Sequence, residues 1–256
     1  MIYLKTDQEI NLMRASSLLV SKTHAELAKV IKPGINTLYL DKIAEEFIRD
    51  NGGVPGFKGY NGFPNTLCIS KDSAVVHGIP LDMEVEEGAI LSIDCGVLMN
   101  GFYGDAAYTF PVGEISNEKK KLLDVTKEAL NRGVLAAKCG NTLGDIGFAI
   151  QDFAESNGYS IVKELVGHGI GKNLHELPEV PNYGKKNTGI LLESGMVLAI
   201  EPMINIGEAD VIQKSDGWTI ETSDGLPSAH FEYTIAITKD KTDILSSFNL
   251  IEDILK

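Results

Sequence analysis

Cysteine is scarce in this chain of 256 residues: only Cys68, Cys95 and Cys139 occur, an odd number with no Cys-x-x-Cys pair. That excludes a disulfide framework and fits a reducing cytoplasm. Long apolar runs are also missing. No stretch approaches the ~18 uninterrupted apolar residues of a membrane span, and the opening Met-Ile-Tyr-Leu-Lys-Thr-Asp-Gln-Glu has no signal-peptide core. A cytoplasmic location without membrane partners is therefore expected. Positive charge is outweighed: 23 Lys and Arg face 36 Asp and Glu, a net charge of -13. Such a balance argues against a general binder of nucleic acid or of anionic membranes.

What is present is ordinary for a globular protein, with 43% hydrophobic and 23% charged residues. The length permits a large core in one or two domains. One stretch organises the rest: Ser92-Ile93-Asp94-Cys95-Gly96-Val97-Leu98-Met99-Asn100-Gly101-Phe102-Tyr103-Gly104-Asp105. Asn-Gly between two apolar runs is a strong hairpin signal, because both turn positions need positive φ. A two-residue turn there sets Asp105 opposite Gly96 and puts Asp94, two residues along, on the same face. The two carboxylates become diagonal neighbours, roughly 7–8 Å apart at the backbone. A three-residue turn would separate them. Either they face solvent or a cation holds them, since two buried, unpaired carboxylates would not stay ionised.

In chain order, Thr6-Asp7-Gln8-Glu9 is a capping box that opens a helix over about residues 7–31. His24 within it is expected to be solvated. Pro33-Gly34 ends that helix, and a second follows over 37–50, stopped by Asn51-Gly52-Gly53. Residues 54–64 form a loop rich in Gly, Pro and aromatics, in which Tyr60 and Phe63 either line a pocket or pack as a surface loop. A short strand over 66–70 carries Cys68. The apolar stretch 74–80 ends a strand at His77, which by itself reads as a structural histidine. The second half repeats the order of helix, helix, strands. Asn117 caps a helix to about residue 138, and Thr142 starts another ending at Asn157-Gly158. A loop, Gly167-His168-Gly169-Ile170-Gly171, leaves His168 uncrowded and lacks the Lys-Ser/Thr of a phosphate loop. His175 precedes Glu176, and the apolar strand 196–200 terminates in Glu201-Pro202. A last strand over 229–238 places His230, Glu232 and Thr234 on one face.

Asp94, Asp105, His168, Glu201 and Glu232 each sit in or beside an apolar strand or glycine-rich loop. Four carboxylates and an imidazole can share a dry site only with cations. Two divalent ions would balance the charge, and a single imidazole adds preference for Mn, Fe, Co or Zn over Ca. Carboxylates can bridge two ions ~3.5–4 Å apart.

In these motifs the chain resembles the type I methionine aminopeptidases. The resemblance covers about residues 6–239. It rests on Val76-His77-Gly78-Ile79-Pro80, on Ser92-Ile93-Asp94 followed by Gly101-Phe102-Tyr103-Gly104-Asp105, on Gly167-His168-Gly169-Ile170-Gly171, on His175-Glu176, on Ile200-Glu201-Pro202 and on Phe231-Glu232. It implies an α+β, pita-bread (creatinase/aminopeptidase) fold: one catalytic domain over 1–256, with antiparallel sheet and outer helices in two pseudo-symmetric halves, about 1–113 and 114–256. It implies a metalloaminopeptidase with two divalent ions that removes the N-terminal methionine of nascent proteins when the second residue is small. Asp94 falls on the position that chelates one metal, Asp105 and Glu232 on the bridging positions, and His168 and Glu201 on those completing the other. His77 and His175 fall on the two catalytic histidines, with Glu201 placed to relay a proton. Tyr60, Phe63, Cys68 and Trp218 fall on the pocket for the methionine side chain, where aromatic and sulfur contacts suit a thioether. Nascent chain N-termini are the implied partners. Any docking to the ribosome falls to the catalytic domain, and the family is usually monomeric.

The chain departs from the family pattern at several positions. Leu174 precedes His175 where an aromatic is common, Asn61 stands where His is frequent, and Tyr233 follows Glu232 in place of His. His230 stands where Gln is common and is expected to be a hydrogen-bonding residue behind the ligands. Xaa-Pro peptidases share the fold but usually carry an extra N-terminal domain. Type II methionine aminopeptidases insert a long segment between the last two glutamates, which here are only 31 residues apart. A metal-free binding module would have lost ligands. The segment 242–256 receives no assignment beyond packing on the second half.

Overall fold

The capping box at Thr6 forms as expected. Glu9 N–H donates to Thr6 Oγ1 at 3.3 Å, and the Glu9 carboxylate accepts the Thr6 N–H at 2.9 Å. In this computed structural model, which describes residues 1–256, helix α1 spans Asp7–Ala28. It ends three residues before the expected boundary. Val30 and Ile31 N–H both turn back to the Leu27 carbonyl, and Pro33 biases residue 32 against helical backbone. α1 is buried around most of its circumference. Ser17, Ser21 and Thr23 hydroxyls donate to carbonyls four residues back, so these polar side chains lie inside without orphaned groups. His24 is 1% exposed and its Nε2–H donates to Ile93 O at 3.1 Å. The expectation of a solvated His24 is therefore corrected.

Helix α2 (Thr37–Asp50) is capped by Asn36. β1 (Val54–Pro55), β2 (Leu67–Lys71) and β3 (Ala74–Val76) lead to the long hairpin of β4 (Ile90–Met99) and β5 (Phe102–Pro111). Its register pairs Gly96 with Asp105 and Asp94 with Ala107, as the two-residue Asn100-Gly101 turn requires. β1, β4 and β2 form a sheet with β5 on the other edge of β4. α1 lies across this hairpin, and Gly104 lets it come close, since a Cβ there would collide with the Ser17 backbone.

Helix α3 (Asn117–Ala136) begins one residue earlier in its cap than expected. Ser116 Oγ, not Asn117, accepts the Lys119 N–H at 3.2 Å. α4 (Leu143–Ser156) follows, with the Thr142–Asp145 capping box. The remaining strands are β6 (Ser160–Ile161), β7 (Gly167–Gly169), β8 (Glu176–Val180), β9 (Val197–Ile200), β10 (Met203–Asn205), β11 (Val211–Gln213), β12 (Ile220–Thr222), β13 (Ser228–His230), β14 (Tyr233–Ile237) and β15 (Thr242–Ile244), before helix α5 (Asn249–Leu255). Their main sheet runs in the order β15-β14-β9-β7-β8. α3 and α4 pack on one another and flank these strands.

Three expectations change here. The glycine-rich 167–171 segment opens as strand β7, not a loop. Its glycines admit neighbouring strands, because a Cβ on Gly167 or Gly169 would strike the Ala199 or Leu177 carbonyl. His168 is accordingly packed, at 9% exposure. The expected continuous strand over 229–238 is broken at Phe231-Glu232. β13 pairs with β10 and β14 with β9, so the chain changes sheets at the break. The segment after residue 241 packs on the second sheet through β15, as expected, but also reaches α1 through α5. Phe248 stacks on Tyr233 at 4.0 Å and meets Tyr108 edge-on at 5.0 Å. Ser247 N–H donates to Ser21 Oγ at 2.8 Å.

Candidate active site

Both sheets deliver acids to one place. The hairpin register sets Asp94 and Asp105 on one face, with Cys68 of β2 opposite Asp94. β7 and β9 are neighbours, with His168 opposite Ala199, so Glu201 emerges from the end of β9 beside His168. The break between β13 and β14 is held by the Glu232 N–H, which donates to Ala107 O at 2.9 Å. That bond fixes Glu232 against the hairpin. His168 Nε2 lies 3.5 Å from Glu201 Oε1 and 3.9 Å from Asp105 Oδ2. Ligand atoms of Asp105, His168 and Glu232 all lie within 4.8 Å of one another.

These groups are buried without adequate protein partners. Asp105 is 3% and Glu232 1% exposed. Asp94 Oδ1, Asp105 Oδ1, Glu232 Oε1 and His230 Nε2 make no hydrogen bond. Burial, reinforced by the neighbouring carboxylates, holds Asp105 and Glu232 well above the usual carboxylate range. Burial raises Glu201 to about 8 and Asp94 to about 7, the latter opposed by nearby His230. Burial also pulls His168 down to about 3, so its imidazole is neutral. Orphaned carboxylate oxygens around a neutral imidazole are a donor set for divalent cations: charge repulsion and desolvation both disappear once cations are bound. The residues therefore fit the metals they were expected to hold.

The same five side chains floor a cavity of about 180 Å³, room for one side chain and a few water molecules. Its wall includes all of the expected pocket residues. Phe63 and Trp218 meet edge-on at 5.1 Å, Cys68 is buried, and Tyr60 Oη is 2.8 Å from His175 Nδ1. The His175 ring is 4.3 Å from that of His168. His77 follows β3 with φ of 58°, a backbone conformation that costs a non-glycine residue about 1–2 kcal/mol. Burial lowers its pKa to about 4. It stands where the cavity meets an open groove lined by Leu165, Val166 and Glu179. Phe57, Asn61 and Leu174 also line the cavity. Phe57 was not foreseen as a site residue. Its signal is the aromatic loop it shares with Tyr60 and Phe63, together with Gly96, where a Cβ would strike its ring.

Residues 11–239 match the sequence profile of metallopeptidase family M24. Methionine aminopeptidase 1 of Bacillus subtilis (strain 168) is 51% identical over 246 residues, spanning 96% of this chain and 99% of its own. The crystal structure of methionine aminopeptidase from Rickettsia prowazekii superposes with a TM-score of 0.95 at 40% identity, over 96% of this chain and 100% of that one. The prolidase from Pyrococcus furiosus is more distant, with a TM-score of 0.77 at 25% identity, and this chain spans 65% of it. The acids floor the cavity, the profile runs through all of them, and relatives of one kind match end to end, so the chain belongs to metallopeptidase family M24 and, within its pita-bread fold, groups with the type I methionine aminopeptidases.

Proposed function

We propose that the chain removes the N-terminal methionine from nascent polypeptides whose second residue is small, as a cytoplasmic enzyme holding two divalent ions of the Mn, Fe, Co or Zn type. One observation carries this reading: a cavity sized for a single side chain, walled by Tyr60, Phe63, Cys68 and Trp218, lies directly over five ligand-type residues, of which Asp105, His168 and Glu232 are buried. A cavity closed around one residue suits an exopeptidase.

Asp94, Asp105, His168, Glu201 and Glu232 would hold the ions. The ions supply Lewis acidity at the amide carbonyl and lower the pKa of water to near neutrality. The residues of the chain do the rest. Phe63, Trp218 and Tyr60 give apolar, aromatic contact to the methionine thioether, with Cys68 beneath. Glu201, beside the attacking water, takes a proton from it and returns it to the leaving amine. Tyr60 Oη lies 2.8 Å from His175 Nδ1; with the hydroxyl as donor, the ring proton sits on Nε2. That N–H then faces the scissile carbonyl and stabilises negative charge there as it develops. His77, at the junction of cavity and groove, holds the scissile amide, while the groove takes the rest of the peptide.

The test is hydrolysis of Met-Gly-X, Met-Leu-X and Gly-Pro-X peptides by metal-stripped protein, with and without Co²⁺ or Mn²⁺. Metal-dependent release of Met from Met-Gly-X alone is expected. Cleavage of Gly-Pro-X would move the chain to the proline-specific branch of the fold, and no cleavage by folded, metal-loaded protein would overturn the reading.

A further inference from the structure

His230 has no part in the mechanism above, yet it faces the same carboxylates, Glu201 and Asp94. It is 1% exposed and its Nε2 has no hydrogen-bond partner. Its backbone is fixed at both ends: the N–H donates to Thr109 Oγ1 at 3.0 Å, and that hydroxyl donates to the His230 carbonyl at 2.7 Å. A buried ring nitrogen without a partner is rare in a folded protein and points to an ion, a water or a functional role. Three other orphaned atoms, Asp94 Oδ1, Asp105 Oδ1 and Glu232 Oε1, belong to the same site.

The spacing selects among these. Glu201 stands between two imidazoles, with Oε1 at 3.5 Å from His168 Nε2 and Oε2 at 3.6 Å from His230 Nε2. Both distances are long for a hydrogen bond. Both match two atoms sharing one ion, because metal–nitrogen and metal–oxygen bonds of ~2.1 Å at a tetrahedral angle set ligand atoms ~3.4 Å apart. The two oxygens of Glu201 thus meet equivalent surroundings.

We propose that His230 is itself a metal ligand through Nε2, giving the site a second imidazole across Glu201 from His168. This rests on the metal-dependent reading above. Ligation through Nε2 leaves the proton on Nδ1. The second nitrogen donor tilts the site from Mn²⁺ toward Co²⁺ and Zn²⁺, relative to the same acids with one imidazole.

Proton NMR of the Co²⁺-loaded protein tests this, because each ligated imidazole contributes one hyperfine-shifted, exchangeable N–H signal. Two such signals are expected in the wild type, and one in His230→Gln and His230→Asn. Titration calorimetry is expected to show Co²⁺ binding at least tenfold weaker in both variants, with a smaller loss for Mn²⁺. A single shifted signal in the wild type, two retained in the variants, or unchanged Co²⁺ affinity overturns the assignment while leaving the metal-dependent reading intact. A wild type that binds no Co²⁺ overturns both. If the variants do not fold, the signal count in the wild type still decides.

Discussion

Asp105 and Thr234 are joined twice across the two sheets. The Thr234 hydroxyl donates to the Asp105 carbonyl at 2.6 Å and accepts the Asp105 N–H at 3.1 Å. A single hydroxyl thus fixes the backbone of a candidate ligand on β5 to strand β14. Thr234→Val keeps the shape and leaves both backbone groups unpaired. It is expected to destabilise the protein by about 1–3 kcal/mol, read by urea unfolding of the metal-free protein. Metal affinity is expected to fall with it. Unchanged unfolding would show that water replaces the hydroxyl.

The four acids of the site make metal-free stability depend on pH. Their folded pKa values lie above the unfolded ones, with Asp94 at about 7 and Glu201 at about 8. Their contribution is therefore fully present below the ordinary carboxylate range and is lost as pH rises through 7 to 8. The melting temperature of metal-free protein is expected to fall from pH 6 to pH 8, and the increment from added Co²⁺ to grow over the same interval. A metal increment that does not vary with pH would contradict this.

His24 acts with the opposite sign. Burial pulls its folded pKa down to about 4, below the ordinary histidine value of 6.5, so its stabilisation is present above pH 6.5 and fades as pH falls toward 4. His24→Gln keeps a donor for the Ile93 carbonyl and removes the titration. The stability difference between wild type and variant is expected to shift by about 2 kcal/mol between pH 7 and pH 5, measured by denaturant unfolding at each pH. A difference that stays constant over that interval would show that the ring does not titrate there.

Tyr60→Phe removes the partner of His175 Nδ1 while keeping the pocket wall. Without that bond the imidazole tautomer is no longer set, and kcat/KM for Met-Gly-X is expected to fall about tenfold, or about 1.4 kcal/mol. Metal affinity is expected to stay unchanged. An equal loss in metal binding would mean that Tyr60 supports the floor of the cavity as well.

Phe248 is buried against Tyr108, Phe231 and Tyr233. Truncation to Ala is expected to cost about 3–5 kcal/mol, seen as a lower denaturant midpoint. Because Phe231 adjoins Glu232, metal affinity is expected to weaken too. A variant as stable as wild type would mean that the aromatic cluster closes up after truncation.

The parts of the site that were legible in the sequence share a cause. Asn100-Gly101 chemistry fixes the register of its hairpin, so the pairing of Asp105 with Gly96 follows from the turn alone. The expected site residues all line one cavity, because an acid at the end of an apolar strand persists only where something pairs with its charge. The failures are also physical. Ser16, Ser17, Ser21 and Thr23 make the His24 side of α1 look solvated, yet their hydroxyls are satisfied internally or by the hairpin. Alternation through His230-Phe231-Glu232-Tyr233 reads the same whether the strand is continuous or changes sheets after His230. Helix α5 has no side-chain cap and only seven residues, so it carries no start signal and takes its stability from tertiary packing.

The position of α5 has a consequence for synthesis. α5 is made after its partner α1, and Ser247 closes on Ser21 across a separation of 226 residues. Helix α1 therefore waits for α5 before its buried surface is fully covered. A chain stalled with α5 still inside the ribosomal exit tunnel holds a hairpin and a nearly complete set of strands but not a sealed core. Protease resistance of stalled chains is expected to rise in one step once α5 has emerged rather than gradually with length.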